Sequence, residues 1–480
     1  VGRTAEVLIV GGGTCGCVLA ARLSEQSDRT VLLVEAGPGF DETPDSLRDP
    51  TAMAVGPESV WARRYPAALT ATRSGVAVRG RVLGGSSAVN GGYFVRGTAA
   101  DFDGWGGAWS YDKVLPYFRK SEHDLDFDGE YHGGAGPIRV RRDRADEFVP
   151  LSAEFAQVCV SAGFARCADL NAPGFDGVGS VPMNIDRGAR ITTAAAYLAP
   201  ALVRSNLRVE TKTVVQQLVI ESGRAVGIVV ERGGVVDRYY ADRIVLCAGA
   251  IESAALLMRS GIGDPERLRA AGVSTRYALP AVGAAFADHP EVAVPYRLLA
   301  SSESKAVAAL QVILGNGGVE LRPYTAAMDL LVPGSGMDVP YLGVALMQSE
   351  SRGVVTVRSD DPAVPPDIEY RYLSAAADRT RLREGVQLAQ ELLAALASRG
   401  VLTFDHIDPT DDWMSANLGT SQHMMGTCPM GADGVVDENC AVHGVDALYV
   451  VDTSVIPNNL SRGPNATAVM IAERAAALLR

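Results

Sequence analysis

The sequence predicts an α/β chain, α+β overall. A Rossmann-like nucleotide domain is joined to a second domain built on an antiparallel sheet covered by helices. Three observations predict it. A glycine-rich turn links an apolar strand to a helix near the start. Longer alternating strands fill the middle of the chain. The 480 residues exceed what one small core accommodates, so two domains are expected.

Glu6 to Val10 reads as a buried strand, Gly11-Gly12-Gly13-Thr14-Cys15-Gly16 as the turn, and Cys17 to Leu23 as the start of a helix. Thr30 to Val34 is the second strand, with Glu35 at its end. Gly11, Gly13 and Gly16 satisfy G-x-G-x-x-G between strand and helix, and the acid lies about twenty residues on. Backbone amides at such a helix start hold a pyrophosphate, and Glu35 accepts hydrogen bonds from an adenosine ribose. The combination points to an adenine dinucleotide and leaves NAD and FAD undistinguished.

Later blocks return to the same domain. Asn206 to Glu231 alternates around Ser222-Gly223 like a hairpin. Arg243 to Cys247 is a short buried strand running into Ala248-Gly249-Ala250 and a helix through Met258. Leu448 to Val451 is a last strand, ending at Asp452. The nucleotide domain is therefore expected to be discontinuous, over residues 1–136, 185–290 and 408–480. The second domain takes residues 137–184 and 291–407, including an alternating strand over Gly353 to Arg358. Gly315-Asn316-Gly317-Gly318 reads as a flexible loop.

Composition narrows the function. Hydrophobic residues make up 47% and charged residues 21%, as in ordinary globular proteins. A net charge of −12 without clustered Lys and Arg excludes nucleic acid as a partner. No apolar run reaches membrane-span length and no signal peptide precedes the first strand, so a cytoplasmic protein without a transmembrane segment is expected. Peripheral membrane contact is left open. Seven cysteines, mostly in apolar stretches, suggest reduced thiols. None of the six histidines has a paired ligand spacing, and no metal site is expected. His123, His132 and His406 read as polar-loop residues, His289 as a packing residue and His443 as support for a turn. A Gly-x-Ser-x-Gly elbow is missing, which argues against a serine hydrolase.

The chemistry is carried by Gln422-His423-Met424-Met425-Gly426-Thr427-Cys428-Pro429 and by Gly463-Pro464-Asn465-Ala466-Thr467. They set an imidazole and a carboxamide on neighbouring segments. A base and a hydrogen-bond donor beside a held cofactor are what removing a hydride from an alcohol requires. Asn465 also suits a helix cap.

Gly80-Arg81-Val82-Leu83-Gly84-Gly85-Ser86-Ser87-Ala88-Val89-Asn90-Gly91, continuing to Tyr93, Arg96-Gly97 and Trp105, resembles the first signature of the glucose–methanol–choline (GMC) oxidoreductase family. Gly249 through Gly263 resembles the second, with Ala254 where the family usually has proline. With the glycine loop and the His and Asn motifs, the resemblance spans nearly the whole chain in the family's order. It implies FAD. Gly11, Gly13 and Gly16 would take the pyrophosphate and Glu35 the ribose. Gly84, Gly85, Ser86 and Asn90 would line the pyrophosphate and flavin side, and the backbone of Val215 would meet the adenine. Thr14, Cys15, Ala36, Arg81, Val82, Gly91, Ala248, Asp452, Asn465 and Ala466 complete the implied cofactor contacts. Some relatives attach FAD through a histidine at the position of Val89, so the cofactor here is expected to be non-covalent. The resemblance makes His423 the base that takes a hydroxyl proton while hydride leaves for flavin N5, and Asn465 the donor to the substrate oxygen.

The implied activity is an alcohol dehydrogenase, with an oxidase the lesser expectation. Its substrate would be a small-molecule alcohol and its acceptor a quinone, a respiratory component or oxygen. Two alternatives stand beside it within the family. One is a mycofactocin-associated dehydrogenase that passes electrons toward respiration. The other is a redox-silent enzyme of the hydroxynitrile-lyase type. A non-catalytic flavoprotein is disfavoured, because both catalytic positions hold competent residues.

Overall fold

The computed structural model describes residues 3–174, 176–299 and 309–480. A seven-stranded sheet runs Leu207–Glu210, Val31–Val34, Arg3–Val10, Val235–Leu246, Arg224–Arg232, Val214–Glu221, with Leu448–Val450 also paired to Val235–Leu246. Its glycine-loop end is parallel: Val7 stands opposite both Val31 and Arg243. The expected short strand before Cys247 is twelve residues long, Val235–Leu246. Its first half is exposed and pairs antiparallel with Arg224–Arg232, while its buried second half lies in the parallel core. Ser222 and Gly223, both at positive φ, close the expected hairpin.

A second sheet of six strands is wholly antiparallel in the order Leu418–Thr420, Pro290–Pro295, Tyr341–Leu346, Val319–Pro323, Val312–Asn316, Gly177–Ser180. Tyr341–Leu346 and Val319–Pro323 are buried at every position. Such continuous burial means that both faces are covered. The helices Pro150–Ser161 and Ala376–Ser398 pack on this sheet. Leu418–Thr420 forms its edge, so the segment that carries His423 begins in the antiparallel sheet and ends beside the nucleotide sheet.

A smaller sheet, in the order Val354–Thr356, Asp367–Glu369, Ala62–Ala68, Ser74–Gly80, corrects one sequence expectation. The alternating residues after Gly353 pair in this sheet and not in the larger antiparallel one, because Val355 lies opposite Ile368 and Glu369 pairs with Ala68. A second correction concerns Gly315 to Gly318. Asn316 pairs with Val319 across Gly317 and Gly318, both at positive φ, so the glycines close a tight hairpin instead of a flexible loop.

His132 lies in an irregular segment among polar residues, as expected, but it is not exposed. It is buried against Glu122, Asp124 and Asp169, at 3.2, 3.0 and 2.8 Å. Burial opposes its charge, but the Asp124, Asp169 and Glu122 carboxylates win and hold it up to about 10. Arg142 pairs with Asp124 at 2.8 Å and Arg96 with Glu122, so these acids already have cationic partners. The free cysteines are buried, apart from the half-buried Cys167.

The first helix, Thr14–Leu23, lies so close to its strand that a Cβ on Gly16 would stand 1.9 Å from the Gly11 carbonyl oxygen. The obstacle is backbone and cannot swing aside. Gly16→Val is therefore expected to cost about 1–3 kcal/mol or more of stability, read as a lower thermal unfolding midpoint.

Candidate active site

One cavity of about 1070 Å³ runs from the glycine loop to the antiparallel sheet. Gly11, Gly13, Thr14, Cys15, Glu35, Ala36, Arg81, Gly85, Ser86, Asn90, Gly91, Val215, Ala248, Asp452, His423 and Asn465 all line it. Four expected contacts do not. Gly16 is spent on helix–strand approach, and Val82 is buried with Leu47, Ala88 and Val89. Gly84, at φ +92°, turns the chain behind the wall, and Ala466 is fully buried in the last helix.

The two glycine loops meet backbone to backbone. A Cβ on Gly85 would lie 2.7 Å from the Gly13 Cα, and one on Gly11 2.6 Å from the Cys247 oxygen. A Cβ on Gly13 would meet nothing closer than 3.8 Å, so the space above it is open. The helix behind it has no side-chain cap and no acid in its first turn. Its amides and positive end are thus left for an anion. Glu35, 7% exposed, accepts the Gly12 and Gly37 amides at 2.7 Å each, which fixes the carboxylate at the end of its strand. Burial pushes this carboxyl up while those amides pull it back.

Asp452 accepts from Gly249 N at 2.9 Å, Ser253 Oγ at 2.6 Å and Ser454 N at 2.8 Å. It therefore caps the helix Gly249–Arg259 and joins it to the last strand, a structural task beside its place in the wall. Ser86 Oγ accepts from Gly80 N at 3.2 Å, and Asn90 Oδ1 from Gly92 N at 3.0 Å. These bonds brace the loop from within.

His423 is set by three neighbours. Gln422 sits at φ +64°, and its carboxamide bonds Val76 O and Val78 N at 3.0 and 2.9 Å, as if it were a rung on the strand Ser74–Gly80. Asp288 Oδ1 accepts the His423 amide at 2.8 Å and the His289 amide at 2.6 Å. His289 then meets His423 side chain to side chain, Nδ1 to Nδ1, at 2.8 Å. The other His289 nitrogen, Nε2, lies 2.8 Å from the Leu460 carbonyl oxygen. Burial, then the charges of His289, Arg322 and Arg79, keep the His423 imidazolium unfavourable, well below the usual histidine range.

The segment Gly463-Pro464-Asn465 closes over this imidazole. A Cβ on Gly463 would stand 3.2 Å from His423 Nε2 and 3.3 Å from the Tyr93 ring. Asn465 Nδ2 donates to the Tyr93 carbonyl at 3.3 Å. Asn465 opens the helix Asn465–Leu478 but does not cap it, since Pro464 is the cap residue and no side-chain cap bond forms. The sequence reading missed His289, Asp288 and Arg322. A polar triplet, Asp288-His289-Pro290, between apolar blocks was the available signal, because a buried Asp–His step needs partners.

Models of the GMC oxidoreductase family match residues 5–291, the N-terminal part, and residues 349–472, the C-terminal part. The chain is a member of the GMC oxidoreductase family. It is 47% identical to a Rhodococcus erythropolis GMC-type oxidoreductase from the thcA 5' region, over 99% of this chain and 98% of that protein. It is 34% identical to the oxygen-dependent choline dehydrogenase of Photobacterium profundum, over 98% and 92%. The crystal structure of pyridoxine 4-oxidase from Mesorbium loti superposes with a TM-score of 0.90 at 30% identity, covering 98% of each chain. GMC oxidoreductases bind FAD. The residues of this GMC oxidoreductase fit that group, with an open glycine cradle at an uncapped helix end, a fixed acid at the strand tip, and an imidazole at the far end of the same space.

Glu35→Ala would leave the Gly12 and Gly37 amides without their charged acceptor, each such bond being worth roughly 1.5–3 kcal/mol. The purified variant is expected to carry less flavin per chain and to unfold at lower temperature.

Proposed function

We propose that this GMC oxidoreductase oxidises the CH–OH group of a small-molecule alcohol to an aldehyde or ketone, with His423 Nε2 as the base. The observation that carries the reading is the His289–His423 contact. A carbonyl oxygen can only accept, so His289 Nε2 donates to Leu460. Burial pulls His289 down to about 4, which keeps the ring neutral and leaves its Nδ1 an acceptor. His423 Nδ1 must therefore carry the proton that joins the rings. Its Nε2 keeps a lone pair, on the edge facing Gly463. The tautomer needed by a general base is thus selected before substrate arrives, and the Nδ1–H bond survives when Nε2 takes a proton.

Asn465 has a second amide hydrogen beyond the one on Tyr93, and it supports donation to a substrate oxygen as alkoxide charge develops. Bound FAD supplies the acceptor for the hydride. The helix behind Asn465 has neither a side-chain cap nor an acid in its first turn, so its positive end stays available to negative charge in the cavity. Val89, with no nucleophile, supports a non-covalent cofactor. Denaturation should release free flavin into the supernatant, and flavin retained on the chain would contradict this. Acceptors remain a quinone, a respiratory component or oxygen. The relatives named oxygen-dependent choline dehydrogenase are the reason to assay oxygen first.

Anaerobic mixing with alcohols tests the reading. Loss of oxidised-flavin absorbance is expected, whereas turnover with unchanged absorbance would mark a lyase. His423→Ala should slow flavin reduction by about two to four orders of magnitude. A base is active when unprotonated, and His423 is held below its ordinary pKa. The acid limb of kcat/KM should therefore lie below about pH 6.5, with the rate level above it.

A further inference from the structure

Beyond His423 the cavity wall turns apolar, with Met53, Leu310, Tyr324, Met328, Leu331 and Tyr341 in the lining. A paired acid and base, Glu291 and Arg322, interrupt it. Arg322 reaches the cavity from the buried strand Val319–Pro323, held by Glu320 at 2.6 Å through Nε and by Glu291 at 2.7 Å through Nη1. Ser421 Oγ bonds the same Glu291 oxygen at 2.7 Å. The other, Oε1, is inaccessible: a Cβ on Gly343 would stand 2.4 Å from it. Glu320, fully buried, is held in turn by the Tyr93 hydroxyl at 2.8 Å.

We infer that the Glu291–Arg322 pair fits this pocket to uncharged, apolar alcohols and turns away cationic ones. The inference rests on the proposed oxidation at His423. A cationic alcohol needs a carboxylate that still faces it, or an aromatic cage free of other cations. Glu291, the acid lining this end, has one oxygen committed to Arg322 and Ser421 and the other sealed. The remaining acids in the lining are committed elsewhere. Glu35 takes backbone amides, Asp452 takes Ser253, and Glu252 takes Tyr65, Arg63 and Arg259. The rings of Tyr324 and Tyr341, 4.8 Å apart, offer a π face, but Arg322 already lies beside Tyr324. An ammonium placed there would meet a guanidinium and no free anion. Carboxylate substrates gain nothing either, because Glu320 and Glu291 already occupy Arg322. Resemblance to choline dehydrogenases therefore does not carry their substrate to this chain.

Choline and 3,3-dimethylbutan-1-ol share a shape and differ in charge, so they isolate this effect. With the flavin-loaded enzyme, the neutral alcohol is expected to exceed choline in kcat/KM by at least about 100-fold, the scale of taking a cation out of water with no free counter-ion to meet it. Equal or better use of choline overturns the inference. Binding is read separately, as the shift each compound causes in the flavin spectrum under anaerobic conditions. If neither alcohol reduces the flavin but the neutral one binds at least about 100-fold more tightly, the oxidation reading fails while the charge assignment stands. If choline binds as well as the neutral compound, or the neutral compound does not bind, the assignment is overturned. Arg322→Leu, which frees Glu291, should move the preference toward choline. Glu291→Gln should move it further from choline, and it provides the second arm if the first variant does not fold.

Discussion

The site depends on one carboxylate that never meets the substrate. Asp288 takes the backbone amides of both His289 and His423 on a single oxygen, at 2.6 and 2.8 Å. Two histidines whose backbone amides share one acceptor have little freedom to part. Their side-chain bond, and with it the choice of which nitrogen carries a proton, follows from that clamp. Burial raises Asp288 to about 6, against the pull of Arg79 and of the two amides. Buried acids persist when hydrogen bonds satisfy them, and this one spends its bonds on geometry.

The clamp works because two sheets meet there. Asp288 and His289 lead into the strand Pro290–Pro295, while His423 follows the edge strand Leu418–Thr420 paired beside it. Gln422 then couples that edge to the smaller sheet, and Gly463 brings the chain back from the nucleotide side. The two histidines are thus fixed by adjacent strands of the six-stranded sheet, and Gln422 ties them to the smaller sheet.

Much of this was legible in the residues. The glycine loop, Glu35, His423 and Asn465 stand in patterns whose spacing carries a physical meaning, and all of them line the same cavity apart from Gly12 and Gly16. Gly16, Val82, Gly84 and Ala466 were less legible because a motif does not say which of its members face the ligand and which permit the approach of two backbones. The strand after Gly353 was recognisable as a strand, but its partner was set by Asp367–Glu369 and not by its own alternation. Gly317 and Gly318 looked mobile by composition, yet paired positive φ angles make a tight turn of them. His289 read only as a packing residue and Arg322 carried no signal, since their contacts are with residues 134 and 2 to 99 positions away.

The helix that carries Asn465 ends at Leu478, and its buried Glu473 gathers Arg22, Lys120 and Tyr197 at 2.7, 2.8 and 2.8 Å. Arg22 belongs to the helix that follows the glycine loop. Arg22 and Glu473 are 451 positions apart, so this buried anchor ties two remote helices to each other. The packing of the helix behind the glycine loop is in this way coupled to the helix that opens with Asn465, so disturbing either ion pair partner would be felt at both walls of the cavity.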